Sequence, residues 1–174
     1  MQRVIYLVAT TIDGRIARPD GSFDIFLNEG DHVADYQAAL HTFDCVVMGR
    51  STYEVGLRLG VTNPYPWLET YVVSRTMSES PDPAVTLVKD DPVGLVRTLK
   101  ERPGRGVYVC GGGRLASALL EGGVVDEIVL KQNPVIAGVG IPVFADMERS
   151  TRLELADCKV HASGVVVIRY RVRP

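Results

Sequence analysis

Three consecutive glycines near the middle of the chain form its strongest candidate for a ligand-binding turn. The apolar run Val107–Cys110 before them predicts a buried strand, and a helical pattern begins at Arg114. Glycine lets a ligand approach the backbone closely, and the free N–H groups at a helix start stabilise an anion such as a phosphate. Gly111, Gly112 and Gly113 therefore predict either a phosphate-binding turn or simply a tight turn between a strand and a helix.

Two more apolar runs end in residues that suit an anionic ligand. One run is followed by a glycine, an arginine and two hydroxyl residues, and the other by a serine and an arginine. A guanidinium can hold a phosphate through two parallel hydrogen bonds. In open α/β sheets ligands bind at the carboxyl ends of the strands, so three such segments together predict a ligand with more than one phosphate. The candidate residues are Gly49, Arg50, Ser51 and Thr52 after one strand, Ser74 and Arg75 after the next, and Arg114 and Leu115 after the three glycines.

The segment after Gly49 also has a purely structural interpretation. Ser51 is a typical N-cap residue, and Glu54 follows it by three positions, which is the spacing of a capping box. We therefore predict that a helix begins here with the Ser51 hydroxyl bonded to its first turn. Such a cap does not exclude a ligand at the same turn.

Short apolar runs and helical patterns alternate along the chain and must position these segments. The predicted strands are Arg3–Thr10, Asp44–Met48, Thr70–Ser74, Ala84–Lys89, Gly106–Cys110 and Glu127–Val135. The predicted helices are Asp31–Phe43, Ser51–Leu57, Pro92–Glu101 and Arg114–Glu121, and a hairpin of Leu153–His161 and Val165–Val172 closes the chain. This alternation predicts an α/β fold with a mainly parallel sheet and an antiparallel hairpin at one edge.

Length and composition exclude several classes of protein. The chain of 174 residues contains no linker or repeat, which predicts a single domain over residues 1–174. Its formal net charge of -2 argues against a nucleic-acid partner, and no apolar run approaches the roughly 20 residues that span a membrane. The 3 cysteines and 3 histidines are scattered, so we expect no metal site and a reducing, cytoplasmic environment.

In their order along the chain, these segments resemble the dihydrofolate reductase superfamily, in the branch close to the reductase domain of riboflavin biosynthesis. The resemblance covers almost the whole chain, and the combination of motifs is more specific than any one of them. The matching segments are Val8–Ala17, which resembles the first strand and the mobile loop after it; Gly49–Glu54, which resembles Gly-Arg-x-Thr-Trp/Tyr-Glu; Ser74 with Arg75; Gly111–Leu115; and Pro134–Phe144, which resembles a late segment of the riboflavin-type branch.

This resemblance implies a three-layer sandwich, with helices on both faces of the central sheet, and NADPH as the electron donor. Ala9 and Ile16 match positions that pack against the nicotinamide. The Ser74-Arg75 pair matches the segment that holds the adenosine 2′-phosphate, and Gly111–Leu115 matches the pyrophosphate turn. The implied activity is hydride transfer to a small pterin- or aminopyrimidine-like heterocycle, or to a carbonyl substrate, by a protein that forms a homodimer.

The sequence departs from both named activities where the substrate would bind. The carboxylate that supports folate reduction matches Val33, and the arginine that holds the folate glutamate matches Leu68, so we expect no typical dihydrofolate reductase. The riboflavin-pathway reductases usually carry Val-Leu-x-Asp-Asp-Pro where this chain has Gly-Arg-Ser-Thr-Tyr-Glu. The substrate of this chain therefore remains open between these two activities.

Three residues are candidate substrate contacts, and none is identified as a general acid. They are Val33 at the position of the missing acid, Trp67 in a loop near the expected pocket, and Gln132 on the last parallel strand. Trp67 and its neighbour Tyr65 fit a cover over the edge of the core equally well. A non-catalytic module or sensor that binds NADPH or another nucleotide is the first alternative to a reductase, and a true dihydrofolate reductase is the second.

Overall fold

Strands and helices alternate through the computed structural model, which describes residues 1–173. The strands are β1 (Val4–Thr10), β2 (Arg15–Ala17), β3 (Cys45–Gly49), β4 (Glu69–Val73), β5 (Val85–Val88), β6 (Val107–Gly111), β7 (Glu127–Gln132), β8 (Ile141–Pro142), β9 (Leu153–Val160) and β10 (Val166–Val172). The helices are α1 (Asp31–Leu40), α2 (Arg50–Arg58), α3 (Pro92–Glu101) and α4 (Gly113–Glu121). Every element predicted from the sequence is present, and β2 and β8 are additional.

The central sheet has eight strands in the order β5-β4-β3-β6-β1-β7-β10-β9. The first six of these run parallel, whereas β10 is antiparallel to both β7 and β9. This confirms the predicted α/β fold with an antiparallel hairpin at one edge. The strands β2 and β8 pair with each other in a separate antiparallel sheet. They are too short for an alternation of apolar and polar residues to predict them.

Helices cover both faces of the sheet, which confirms the three layers. One hydrophobic cluster contains Val109 of β6 together with Leu99 of α3 and Leu119 of α4. The other contains the neighbouring Tyr108 together with Leu40 of α1 and residues of α2. Adjacent strand residues point to opposite faces, so each central strand contributes to both clusters. We refer to these two sides of the sheet as the α3–α4 face and the α1–α2 face.

The closing hairpin contains an irregularity that sorts its side chains by polarity. Val160 pairs with Val166 and Leu155 with Tyr170, but the register between them shifts past Ala156. Such a β-bulge adds one residue to a strand and reverses the alternation of side chains beyond it. Apolar side chains of both strands consequently share one side, which we call the outer apolar face. It consists of Leu153, Leu155, Cys158 and Val160 of β9 and Val166, Ile168, Tyr170 and Val172 of β10.

The helices of the fold are short. The longest, α1 and α3, have 10 residues each, and within residues 1–173 no helix is long and apolar enough to cross a membrane. In the same part of the chain, no group of three or more His, Cys, Asp or Glu side chains is placed to hold a metal ion.

Candidate functional site

Two glycine turns meet at the carboxyl ends of β3 and β6. A Cβ atom placed on Gly49 would lie 3.7 Å from the carbonyl oxygen of Gly111 and 3.7 Å from the nitrogen of Gly112. A Cβ atom on Gly112 would lie 3.6 Å from Oγ1 of Thr52 and 3.8 Å from Cδ1 of Ile16. The structure therefore brings together three segments that are far apart in the sequence, and all of them belong to the predicted cofactor site.

Helices α2 and α4 begin at this meeting point without side-chain caps. Their N-cap residues are Gly49 and Gly112, which have no side-chain oxygen to accept from the first turn. Helix α3 differs, because Asp91 accepts a hydrogen bond of 2.8 Å from the N–H of Gly94. Two uncapped helix starts side by side favour an anion. The N–H groups concerned are those of Arg50, Ser51 and Thr52 in α2 and of Gly113, Arg114 and Leu115 in α4.

A different structural feature accounts for glycine at each of positions 111, 112 and 113. Gly111 has a φ of 117°, in the region that favours glycine, and its peptide bond to Gly112 is cis. A Cβ atom on Gly113 would lie 2.3 Å from the carbonyl oxygen of Pro142, because β8 passes directly over the start of α4. Gly112 alone has room for a side chain within the protein. The absence of a side chain at Gly112 therefore leaves room for about one methyl group between Thr52 and Ile16.

The predicted capping box is wrong. Helix α2 begins at Arg50, with Gly49 as its N-cap, so Ser51 lies inside the first turn. The Glu54 carboxylate accepts a hydrogen bond of 2.6 Å from Nε of Arg50. A second nitrogen of the same guanidinium donates to Oγ1 of Thr76, in the segment after β4. Arg50 is thus the partner of the Glu54 carboxylate that the capping box would have used. It also links the segment after β3 to the segment after β4.

An open pocket of about 440 Å³ lies beside the start of α2. Arg50, Arg75 and Lys89 contribute positive charge to its lining, and Asp90 and Asp91 contribute negative charge. Among the residues described, no carboxylate forms an ion pair with Arg75, whose guanidinium is left free for a ligand. This pocket is the part of the molecule that best matches the predicted 2′-phosphate site.

Ser74 holds the turn that presents Arg75. Its side chain is buried, and its hydroxyl oxygen accepts a hydrogen bond of 3.0 Å from the N–H of Met77. The O–H proton is still available to a ligand, since this bond uses only the oxygen. Ser74 can therefore both shape the turn and bind a phosphate.

Arg114 does not join the other two arginines. Its Nε donates to Asp146 over 3.1 Å, and 87% of the Arg114 side chain is exposed. An ion pair that exposed stabilises the fold little. The next residue, Leu115, has a buried side chain, so it can offer a ligand only its N–H. The start of α4 therefore contributes mainly backbone groups to the site.

The predicted nicotinamide contacts lie near the end of β1 and in the middle of β2. Ile16 is half-buried next to Gly112, as described above. Ala9 is half-buried on the α1–α2 face, where the strand register places Lys131 of β7 directly beside it. Gln132 pairs with Thr10 and therefore points to the opposite face. The structure thus brings Lys131, rather than the predicted Gln132, next to Ala9.

Aromatic side chains cover the α1–α2 face next to Ala9. We call this group the aromatic cluster; it consists of Tyr36, Tyr65, Trp67 and Tyr108. The rings of Tyr65 and Tyr108 meet edge to face at 5.6 Å, and those of Tyr65 and Trp67 at 5.9 Å. Trp67 also stacks on His41 at 5.0 Å and is 46% exposed, so it forms the rim of the cluster. Both interpretations of Trp67 are compatible with this position, since the rim covers the core and borders the expected pocket.

Hydroxyl groups point into the aromatic cluster. The hydroxyls of Tyr36 and Tyr108 are 3.2 Å apart, and that of Tyr65 is 3.7 Å from Sγ of Cys110. Burial raises the pKa of all three tyrosines and of the Cys110 thiol, so these groups stay protonated. They can donate hydrogen bonds but do not act as bases.

Val33, at the position of the missing acid, lies on the same side of α1 as Tyr36. It is half-buried and three residues from Tyr36, which places both side chains on one helix face. Tyr36, Tyr108 and Lys131 are not among the residues that the sequence predicts for this site. The periodicity of helix α1 indicates the face of Tyr36, but the pairing of β7 with β1 is a property of the fold and is not visible in either strand alone.

A carboxylate joins the loop after β1 to the segment after β7. Oδ1 of Asp13 accepts from the Thr11 hydroxyl at 2.6 Å and from the N–H of Ala137 at 3.0 Å, and Oδ2 accepts from the N–H of Gly138 at 2.8 Å. The bond from Thr11, followed by the backbone bonds, lowers the pKa of Asp13 to about 2. The link is therefore complete at neutral pH. It holds the loop that carries Ile16.

Known proteins share this sequence pattern and architecture. The family described as the RibD C-terminal domain matches residues 2–167. YwjB, an uncharacterised protein of Bacillus subtilis (strain 168), is 30% identical over 167 residues, which cover 94% of this chain and 95% of YwjB.

Solved structures of the same architecture include a Shewanella sp. PV-4 protein provisionally named for riboflavin biosynthesis. It has a TM-score of 0.84 and 27% identity, and the match covers 100% of both chains. Dihydrofolate reductase from Enterococcus faecalis, solved with NADP(H), has a TM-score of 0.70 and 14% identity over 99% of this chain and 97% of its own. That second likeness concerns the fold alone, and it confirms the predicted dihydrofolate reductase-like architecture.

Proposed function

The chain belongs to the RibD C-terminal domain family, and on that premise we propose that it is a reductase that uses NADPH to reduce a small substrate. The substrate would be a pterin- or aminopyrimidine-like heterocycle or a carbonyl compound. One observation carries the proposal: two uncapped helix starts meet at Gly49 and Gly112, beside a pocket lined by Arg50 and Arg75. Backbone N–H groups and guanidinium groups together suit a cofactor with several phosphates.

The residues present fit such a cofactor along its length. The pocket with Ser74 and Arg75 would hold the 2′-phosphate, and the starts of α2 and α4 would hold the pyrophosphate. The absence of a side chain at Gly112 would let the phosphates approach the backbone, while Ala9 and Ile16 would contact the nicotinamide. When bound, the cofactor supplies the hydride, and the protein supplies position and charge.

The contribution of the chain to the reaction would be orientation. The N–H groups at the two helix starts are fixed by the helices, so binding a phosphate there orders no flexible side chain. The link between Asp13 and the N–H groups of Ala137 and Gly138 fixes the loop that carries Ile16. These contacts would keep the nicotinamide next to Ala9, facing the aromatic cluster.

A non-catalytic module that binds NADPH or another nucleotide is the alternative, favoured by the apolar Val33 at the position of the acid. A true dihydrofolate reductase is less well supported. Leu68, which matches the arginine that holds the folate glutamate, is buried in the core and has no charge to offer a carboxylate.

Loss of NADPH absorbance in the presence of a panel of pterins, aminopyrimidines, quinones and aldehydes tests the proposal. We expect oxidation of NADPH with at least one member of the panel and little oxidation without it. NADPH binding without turnover across the panel would favour the non-catalytic module. A protein that binds no NADPH in a calorimetric titration would contradict both functions.

We also propose that the protein forms a homodimer through the outer apolar face. On the edge strand β9, Leu155 and Val160 of this face are 60% and 72% exposed. The opposite side of the same hairpin carries Glu154, Asp157, Lys159, Arg169 and Arg171. An apolar face is complementary to itself, so a second copy can cover it across a two-fold axis.

The change Leu155→Lys is expected to convert this dimer into a monomer, because it would place a charge in the centre of the interface. Light scattering after gel filtration measures the mass directly. Asp157→Lys, which places a lysine on the opposite side of the same strand, is the control and should leave the dimer intact. A wild-type protein that is monomeric at high concentration would contradict the proposed interface.

A further inference from the structure

Lys131 is a cation without a balancing anion next to the expected nicotinamide contact. It is half-buried on β7, beside Ala9 in the register of β1 and β7. Its Nζ lies 4.9 Å from the centroid of the Tyr36 ring, and among residues 1–173 no carboxylate forms an ion pair with it. Lys100, by contrast, pairs with Asp126. The chain thus leaves one partly buried ammonium group unpaired at this place.

The environment of Lys131 is unfavourable for a charge unless a ligand shares it. Burial lowers the pKa of Lys131, because the ammonium group loses hydration and gains no opposite charge. The ring of Tyr36 replaces part of that hydration through its electron-rich face. A lysine that merely covered apolar surface would extend its ammonium group into water. Lys131 instead holds it over a ring of the aromatic cluster.

We propose that Lys131 binds the oxygen of the substrate's reacting carbonyl group and donates a proton to it. This inference rests on the proposed reductase function and adds a catalytic residue to it. Lys131 is the register partner of Ala9, the expected nicotinamide contact, so a carbonyl oxygen bound to its ammonium group would bring the attached carbon toward the site of hydride transfer. Gln132 points to the other face of the sheet and does not reach this group.

The step conserves atoms and charge. The carbonyl carbon gains a hydride from a reduced nicotinamide, which is oxidised, and the π electrons of the carbonyl bond move to its oxygen. That oxygen takes a proton from the Lys131 ammonium group, which becomes a neutral amine and regains a proton from water. The carbonyl group is thereby reduced to an alcohol. A lowered pKa brings the ammonium group closer to the range in which proton transfer is efficient.

The surroundings of Lys131 define the class of substrate. The aromatic cluster offers ring faces and edges, which pack well against a flat molecule. Val33 provides no carboxylate on this face of α1, so a protonated ring nitrogen would find no partner there. We therefore expect a planar ring whose oxygen, neutral or anionic, points toward Lys131.

A fluorinated pyrimidine with a carboxylate, 5-fluoroorotate, can probe this site without turnover. In ¹⁹F NMR titrations of the NADP⁺-saturated protein, we expect Lys131→Met to weaken its binding at least tenfold and Lys131→Arg to restore most of it. The neutral 5-fluorouracil offers carbonyl oxygens but no charge, so Lys131→Met should weaken its binding less than that of 5-fluoroorotate. Thermal unfolding checks the fold, and Lys131→Gln provides a second neutral variant if Lys131→Met does not fold.

Two results would overturn the assignment of Lys131. One is equal affinity of the wild type and Lys131→Met for 5-fluoroorotate, and the other is no binding to the wild type at millimolar concentration. A third result would also contradict the proposal: if Arg75→Ala loses 5-fluoroorotate binding and Lys131→Met retains it, the anion binds in the phosphate pocket.

A parallel titration without nucleotide separates this inference from the reductase proposal. Probe binding that depends on Lys131, in a protein that binds no NADP⁺, would support the anion site and contradict the reductase. Conversely, a protein that binds NADP⁺ but has the same probe affinity with and without Lys131 would support the reductase and contradict the anion site.

Discussion

Replacing Arg75 with alanine is expected to weaken NADPH binding by about tenfold to a hundredfold and to leave NADH binding nearly unchanged. Hydrogen bonds to charged groups contribute about 1.5–3 kcal/mol, which corresponds to this range of dissociation constants. Arg75 lines the pocket beside α2 and has no ion-pair partner among the described residues, so its removal leaves no buried charge unpaired. The loss should therefore appear in the affinity for the 2′-phosphate and not in the stability of the fold.

Calorimetric titration of both nucleotides measures the difference directly. Arg97→Ala is a suitable control, because Arg97 is also exposed but lies on α3 outside the pocket lining. The effect of Arg75→Ala on NADPH should shrink as salt is added, since salt screens an exposed charge. Equal losses for NADPH and NADH would contradict a role for Arg75 at the 2′-phosphate.

The change Gly112→Ala is expected to weaken NADPH binding strongly while the protein keeps its stability. The added Cβ would lie 3.6 Å from Oγ1 of Thr52 and 3.8 Å from Cδ1 of Ile16, which are ordinary contacts within the protein. The same methyl group would occupy the space between the two helix starts, where the phosphates are expected. Overpacking of this kind costs about 1–3 kcal/mol, so the affinity should fall by about tenfold to a hundredfold.

Gly113→Ala provides the contrast, because its Cβ would lie 2.3 Å from the carbonyl oxygen of Pro142. That clash is with backbone, which cannot rotate away, so the free energy of unfolding should fall by about 1–3 kcal/mol. Denaturant unfolding and NADPH titration of both variants therefore separate a binding effect from a folding effect. Wild-type NADPH affinity in Gly112→Ala would contradict the placement of the pyrophosphate.

Most of the fold is predictable from the sequence because its central strands are continuous apolar runs and its helices follow a helical pattern of apolar residues. The exceptions are the short strands β2 and β8 and the ends of elements. The predicted strand through Val135 ends at Gln132, because the Asn133 side chain bonds the backbone of Lys131 and Leu27 and Pro134 has no N–H to continue the ladder. Local polar contacts of this kind are invisible in a pattern of apolar residues.

The phosphate part of the candidate site is more predictable than the substrate part. Gly49 ends a strand and Arg75 and Gly112 follow two others, and the parallel strands place their carboxyl ends along one edge of the sheet. The identity of the residue beside Ala9 depends instead on strand register, and a shift of one residue exchanges Lys131 for Gln132. Arg114 was placed by sequence in the same group, but Asp146, which lies far along the chain, takes its guanidinium.

The Asp13 carboxylate also has a consequence for the entropy of binding. The carboxylate accepts hydrogen bonds from Ala137 and Gly138 as well as from Thr11, so the loop after β1 and the segment after β7 cannot move independently. The conformational entropy that a ligand would otherwise remove from these two segments is thus already reduced during folding. A single acidic side chain therefore orders both segments before a ligand binds.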